Sequence, residues 1–302
     1  MRTNKVRKPA KTKMLERLIE EMLFTCALIS IIVVIIIFLF LFNQGVRTFG
    51  EVSPIEFLAG TNWQPVSLVK PQFGALPMIY GTTIVTALAM IISVPVGIAA
   101  AVYVAEIAHS TEKEILKPFI ELLAGIPSVI YGFFALVTLS TWIQQTTGAR
   151  VGTNALNGGI ILAIMVIPTI VSIAEDGITA VPKEYREAAY ALGATKWETI
   201  RFVVLPASTS GILAGVLLGF GRAVGETMAV LMATGNVALI NLNILEPVRT
   251  LTATIVLEAP EVAVGSLHYN ALFALGIVLF IMTLTFNYFA GIVEKKMRRM
   301  GR

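Results

Sequence analysis

Charged residues are spaced along this chain so that long apolar stretches lie between them. Met22–Val46 carries no charge, and neither do Pro71–Ala105, Leu122–Ala149, Val151–Ala174 and Val262–Val293. A further gap, Phe202–Gly221, keeps its apolar pattern past Arg222 and Glu226 to about Ala233. A helix needs about 20 apolar residues to cross the hydrocarbon core of a bilayer. The pattern therefore predicts six transmembrane helices, at about 22–43, 79–106, 118–143, 155–176, 208–234 and 270–293. A basic stretch precedes the first, as in a signal peptide. Its apolar core is too long for one and no A-x-A-like site follows, so it reads as a retained helix.

Composition agrees. Of 302 residues, 56% are hydrophobic and 14% charged, and the mean hydropathy is +0.80. Soluble domains are about one quarter charged. A disordered chain, a nucleic-acid binder and an ordinary cytosolic enzyme are excluded, and an all-α polytopic membrane protein is expected. The one cysteine, Cys26, allows no internal disulfide and reads as a small buried hydrophobe.

The net charge of +4 changes meaning once the charges are placed. Eighteen of the 23 lysines and arginines fall in the N-terminal segment, the loops joining spans two to three and four to five, and the C-terminal tail. Only Arg47, Lys70, Arg150 and Arg249 fall on the other side, and Arg222 falls within a span. This asymmetry predicts both termini in the cytoplasm, consistent with an even number of spans. Topology and lipid headgroups account for the basic residues without nucleic acid. Two long loops, about 44–78 and 235–269, are expected outside. Trp63, Pro65, Pro71, Pro247 and Pro260 suit either a docking surface for a partner or plain ordered loops. Ile240–Leu257 is apolar enough to re-enter the membrane, although Glu246 and Arg249 count against that.

Residues 181–206, between spans four and five, hold dense start and stop signals. Pro182 suits a first helical turn, and Glu184 and Glu187 lie early, where the helix dipole favours acids. Gly193 suits a left-handed C-terminal cap, and Thr195 with Glu198 fits a capping box that starts a second helix. Pro206 interrupts that helix before the fifth span. Two short helices with a glycine joint are expected. Ala188, Ala189, Ala191, Leu192 and Gly193 would form a small apolar surface fit to enter a groove on another protein. An amphipathic helix lying on lipid is the other reading.

Glu187-Ala-Ala, Gly193 four residues after Ala189, and Leu205-Pro206 resemble the EAA loop of binding-protein-dependent ABC importer permeases. Val203 stands where that pattern usually has Ile. The resemblance covers about residues 75–294. It implies a type I importer permease core, with Met22–Phe42 as an added first helix. The expected organisation is 1–74 (basic N-terminus, first helix and outer loop), 75–294 (permease core with the coupling loop 181–206) and 295–302 (basic tail). The resemblance also implies that Tyr185, Glu187, Ala188, Ala189, Gly193, Ala194 and Trp197 couple to an ATPase subunit. Its implied partners are a homologous permease, two ATP-binding subunits and an extracytoplasmic binding protein (a phosphate-binding protein on the two segments Gly125–Ala135 and Gly219–Asn236, which resemble phosphate permeases), in a bacterial or archaeal cytoplasmic membrane. ATP and magnesium would then sit on the partner ATPase and no cofactor on this chain.

Two further segments bear on cargo. Gly125-Ile-Pro-Ser-Val-Ile-Tyr-Gly-Phe-Phe-Ala135 and Gly219-Phe-Gly-Arg-Ala-Val-Gly-Glu-Thr-Met-Ala-Val-Leu-Met-Ala-Thr-Gly-Asn236 resemble phosphate permeases, most of all the PstC-type subunit. This implies Arg222, Glu226, Ser128 and Thr227 as residues of the substrate path; molybdate, tungstate and sulfate are the other oxyanions that fit. Arg222 points to an anion on physical grounds too. It lies 14 residues beyond Ser208, about 21 Å along a helix. An arginine at that depth costs about 2.5–3.5 kcal/mol and so faces protein or water, and its planar donors match phosphate oxygens. Glu226 at i+4 is within salt-bridge reach, so mutual neutralisation that locks packing stands as the alternative. Gly211, Gly215 and Gly219 allow close helix approach, and Pro95, Pro127 and Pro168 allow kinks or breaks. No nucleotide P-loop is present. His109 and His268 stand alone, so no metal site is expected, and no catalytic set is apparent. A passive channel and a scaffold or sensor subunit are the other functional classes.

Overall fold

The computed structural model describes residues 10–67 and 69–300, and the side chains of 16–67 and 69–292. The basic residues from Arg2 to Lys8, and Arg302, on which part of the topology expectation rests, lie outside the described residues. Among the described residues the regular structure is helical apart from one short strand pair. α1 (Ala10–Val46) is followed by α2 (Pro54–Ala59), then by β1 (Trp63–Gln64) paired antiparallel with β2 (Gln72–Phe73). α3 (Leu76–Val102) continues into a π-helical turn, Tyr103–Ile107. α4 (Ser110–Gly125) and α5 (Ser128–Phe134) come next, then a π-helical turn Ala135–Leu139 and α6 (Ser140–Thr147). α7 (Ala155–Thr179), α8 (Lys183–Ala191), α9 (Lys196–Thr199), α10 (Leu205–Ala207), α11 (Thr209–Gly225), α12 (Met228–Ala233), α13 (Leu251–Glu258) and α14 (Leu267–Met300) complete the chain.

Among the described residues, four stretches are long and apolar enough to cross a membrane unbroken: Glu16–Gly50, Leu76–Ile107, Ala155–Thr179 and Leu267–Ile292. Two bent pairs raise the number to as many as six. The expected third span, 118–143, is not one helix: Ser110–Gly125 and Ser128–Thr147 meet at 87°. Pro127 has no N–H and forces Ile126 out of the helical region, to φ −66° and ψ 129°. The expected fifth span, 208–234, ends early at Gly225, and Met228–Ala233 is a separate helix. Pro95 and Pro168, by contrast, lie inside unbroken α3 and α7.

α7 is the centre of the bundle and is buried on several faces. Ile161 and Met165 pack with Tyr131 and Ile143, Leu162, Val166 and Ile170 with Val85 and Ala89 of α3, and Val171 and Ile178 with Ile200 and Val204. Small residues let its neighbours close in. A Cβ on Gly211 of α11 would lie 2.5 Å from the Gly177 Cα, so only glycine permits that crossing. α1 stands apart and meets α14 near one end, through Phe38 on Phe280 and Phe40 on Phe273. Cys26, expected to be buried, is exposed on α1, because the residues around it on that helix have no neighbouring element.

The loops 44–78 and 235–269 lie at one end of the bundle, the two-loop end. There Phe57, Trp63, Phe73, Met78, Leu251 and Leu275 form a core. α13 is tucked into the bundle with Leu251–Thr254 buried, and the Leu251 N–H donates to Thr82 Oγ1 of α3 (3.0 Å). α8 and α9 lie at the opposite, basic end.

Candidate functional site: an intramembrane arginine between two broken helices, and the α8–α9 loop

The two helix breaks converge on Arg222. The last carbonyls of α4 have no partner further along their own helix. Ala124 O receives Arg222 Nη2 (3.5 Å) and Leu123 O receives the Tyr131 hydroxyl (2.9 Å). Arg222 Nη1 donates to Thr169 Oγ1 of α7 (3.1 Å). Arg222 is half-buried. Beyond the break, Gly132 of α5 lies against α12, where an added Cβ would fall 3.0 Å from the Ala229 Cα.

Arg222 and Glu226 do not pair. Among the described residues no ion pair joins them. α11 stops at Gly225 and Glu226 is extended (φ −66°, ψ 135°), so the i+4 relation of a continuous helix is lost. The Glu226 carboxylate accepts from the Ala229 N–H (3.2 Å), and its carbonyl accepts from Thr252 Oγ1 (2.8 Å). Thr227 is half-buried in the same break, with its hydroxyl on Gly225 O (3.3 Å). Ser128 is half-buried at the start of α5. The four predicted path residues therefore sit at or beside the two breaks. Arg222 is the one that bridges them. Sequence reasoning missed Thr169, although a threonine directly after Pro168 in an apolar span was a signal.

The loop 181–206 forms the two predicted helices and glycine joint, but Pro206 does not interrupt the second: it runs on through a π-helical turn, Ile200–Val204, to Ala207 and bends there by 68° against α11. Pro182 caps α8 rather than opening it, and Gly193 takes a left-handed conformation (φ +85°). The Gly193 N–H bonds Tyr190 O and the Ala194 N–H bonds Ala189 O. Thr195 and Glu198 form the capping box of α9. Tyr185, Glu187, Ala188, Leu192, Gly193 and Trp197 are exposed and Ala194 is half-buried. Ala189 departs from expectation: it is buried, on the face of α8 that turns towards the bundle with Arg186. The sequence also gave no sign of what holds α8. Arg186 donates to Glu106 Oε1 (2.5 Å from Nη2), to Val181 O (2.6 Å) and to Ile178 O (3.1 Å). The guanidinium thereby clamps α8 to the ends of α3 and α7. Nearby, Lys117 of α4 pairs with Glu175 (2.8 Å) and Asp176 (3.3 Å) of α7.

The family model described as "Binding-protein-dependent transport system inner membrane component" matches residues 93–299. The chain belongs to this family. This permease is 42% identical over 263 residues to the probable ABC transporter permease protein YqgH of Bacillus subtilis, covering 86% of this chain and 85% of that one. It is 40% identical over 259 residues to the phosphate transport system permease protein PstC of Mesorhizobium japonicum, covering 80% and 77%. In fold, the permease matches a bacterial ABC transporter involved in import of the acidic polysaccharide alginate, at TM-score 0.62 and 15% identity, over 94% of this chain and 99% of that one. It is thus a multi-pass membrane subunit of an ABC importer, a non-catalytic component of its system.

Proposed function

We propose that this permease forms half of the translocation path of an ATP-driven importer of inorganic phosphate. The observation that carries this reading is Arg222. Its guanidinium lies deep in the spans between two helix breaks, and the acceptors recorded for it, Thr169 Oγ1 and Ala124 O, are neutral. A half-buried cation that no carboxylate pairs among the described residues keeps its charge for an anion, and its planar donors suit phosphate oxygens. Unwound backbone at that depth is tolerated where it lines a cavity or is buried in protein. Broken helices meeting near the midplane are a common way to build a transport site. The phosphate transport role named for the Mesorhizobium relative supports phosphate over molybdate, tungstate or sulfate.

In this reading the basic end is cytoplasmic, and both termini lie there. A homologous permease chain supplies the other half of the path. A phosphate-loaded binding protein docks at the two-loop end. Two ATPase subunits, carrying ATP and magnesium, grip the α8–α9 loop through Tyr185, Ala188, Leu192 and Trp197. Because Arg186 fastens α8 to α3 and α7, movement of that loop is passed to the spans that surround Arg222. Glu226, Thr227 and Ser128 line the path beside it. A transit site of this kind must bind weakly enough to release.

Labelled phosphate uptake in cells that depend on this chain tests the reading, with sulfate and molybdate as competitors and ATP depleted in parallel. Uptake that needs ATP and resists both competitors is expected. Uptake blocked by a competitor moves the cargo to another oxyanion, uptake without ATP makes the chain a channel, and no uptake leaves a scaffold or sensor.

A further inference from the structure

At the two-loop end, one carboxylate gathers donors from three separate segments. Glu258, at the end of α13, accepts from Arg249 Nη1 (2.8 Å), from Trp63 Nε1 of β1 (2.9 and 3.1 Å to its two oxygens) and from His268 Nε2 near the start of α14 (2.8 Å). Its side chain is 17% exposed. The cluster forms one wall of a cavity of about 650 Å³ that Val66, Glu261 and Val262 also line. Val66 in its lining is 83% exposed, and Val69 and Val264, within three residues of lining positions along the chain, are 98% and 84% exposed. Exposed Glu51, Glu56, Lys70 and Glu261 on the same end make it a poor seat for lipid and a good one for a folded, water-soluble protein.

The same segment reaches inward to the broken fifth span. The Val248 N–H donates to Thr234 O (3.0 Å), just past the end of α12. Arg249 Nε donates to Asn236 O (2.9 Å). Thr252 Oγ1 donates to Glu226 O (2.8 Å), at the break before α12. Residues 248–252 are thus bonded beyond both ends of α12, and Arg249 is shared between that attachment and Glu258. Glycine at position 81 lets this happen, because a Cβ there would collide with the Arg249 carbonyl.

We propose that Glu258 is the junction through which the extracytoplasmic binding protein, seated on the β1–β2 hairpin and the turn before α14, acts on the helix break beside Arg222. The occupant is taken as a binding protein because the family is binding-protein-dependent, and the inference rests on the importer reading above. Moving the hairpin pulls on Trp63, and through Glu258 and Arg249 the pull arrives at Asn236 and α12. Glu258 is a positioning residue, distant from cargo.

The test uses the full complex in proteoliposomes, with ATP hydrolysis measured with and without phosphate-loaded binding protein. Glu258→Gln removes the charge that holds Arg249 and His268. Trp63→Phe removes one N–H donor and keeps a ring against Phe57 and Phe73. In both variants basal hydrolysis is expected to stay at the wild-type rate, while stimulation by the binding protein falls about tenfold, a typical size for coupling between sites. Should Glu258→Gln fail to assemble, Trp63→Phe decides. Unchanged stimulation in the variants overturns the junction, as does a parallel loss of basal hydrolysis, which would mark the cluster as a fold element only. A wild-type complex that the binding protein does not stimulate contradicts the importer reading instead.

Discussion

An arginine inside a bilayer must be compensated, and the manner of compensation decides what it can do. A carboxylate partner would neutralise Arg222 and leave little field for a passing anion. The acceptors recorded for it are a threonine hydroxyl and a helix-end carbonyl, which orient the guanidinium without cancelling its charge. Thr169 then sets where the charge sits. Thr169→Val keeps the side-chain shape and removes one hydrogen bond to a charged group. It should raise the phosphate concentration for half-maximal uptake about tenfold, with the maximal rate less affected, as read from uptake against phosphate concentration. An unchanged half-saturation would count against Thr169 as an orienting group.

Helices show where local signals suffice and where they do not. Spans one, two, four and six are uninterrupted apolar runs, so their charge-free gaps locate them. The α8–α9 loop was legible in detail because caps are local: Gly193, Thr195 and Glu198 act on backbone a few residues away. Pro127 marked a permissible break, but the 87° turn depends on contacts with α7 and α12. The break at Glu226 was hidden. The pattern stays apolar past it to Ala233, and the bond that holds its carbonyl comes from Thr252, 26 residues on. Glu258 was illegible for the same reason, its donors being Trp63, Arg249 and His268. Two substitutions test the elements. Gly193→Asp meets open space and a left-handed backbone that Asp tolerates better than most residues. The permease should still fold but lose ATPase association, measured by co-purification, and with it transport. Gly211→Val forces α11 away from Gly177 and should destabilise the subunit by about 1–3 kcal/mol through overpacking, seen as a lower unfolding midpoint in detergent.

The whole molecule is organised as two attached ends around one charged site. At the basic end, Arg186 clamps α8 to α3 and α7. At the two-loop end, residues 248–252, which lead into α13, are bonded beyond both ends of α12. Arg222 lies between these attachments, on the helix that leads into the break. Motion at either end can therefore be carried to the site by packed helices that have discrete arrangements. The most direct test of this account is ATP-driven accumulation of labelled phosphate in proteoliposomes holding the complete complex, with ATP hydrolysis recorded alongside, for wild type and Arg222→Gln. The account predicts that the variant complex assembles and hydrolyses ATP but accumulates no phosphate. Phosphate accumulation at the wild-type rate by Arg222→Gln would contradict it.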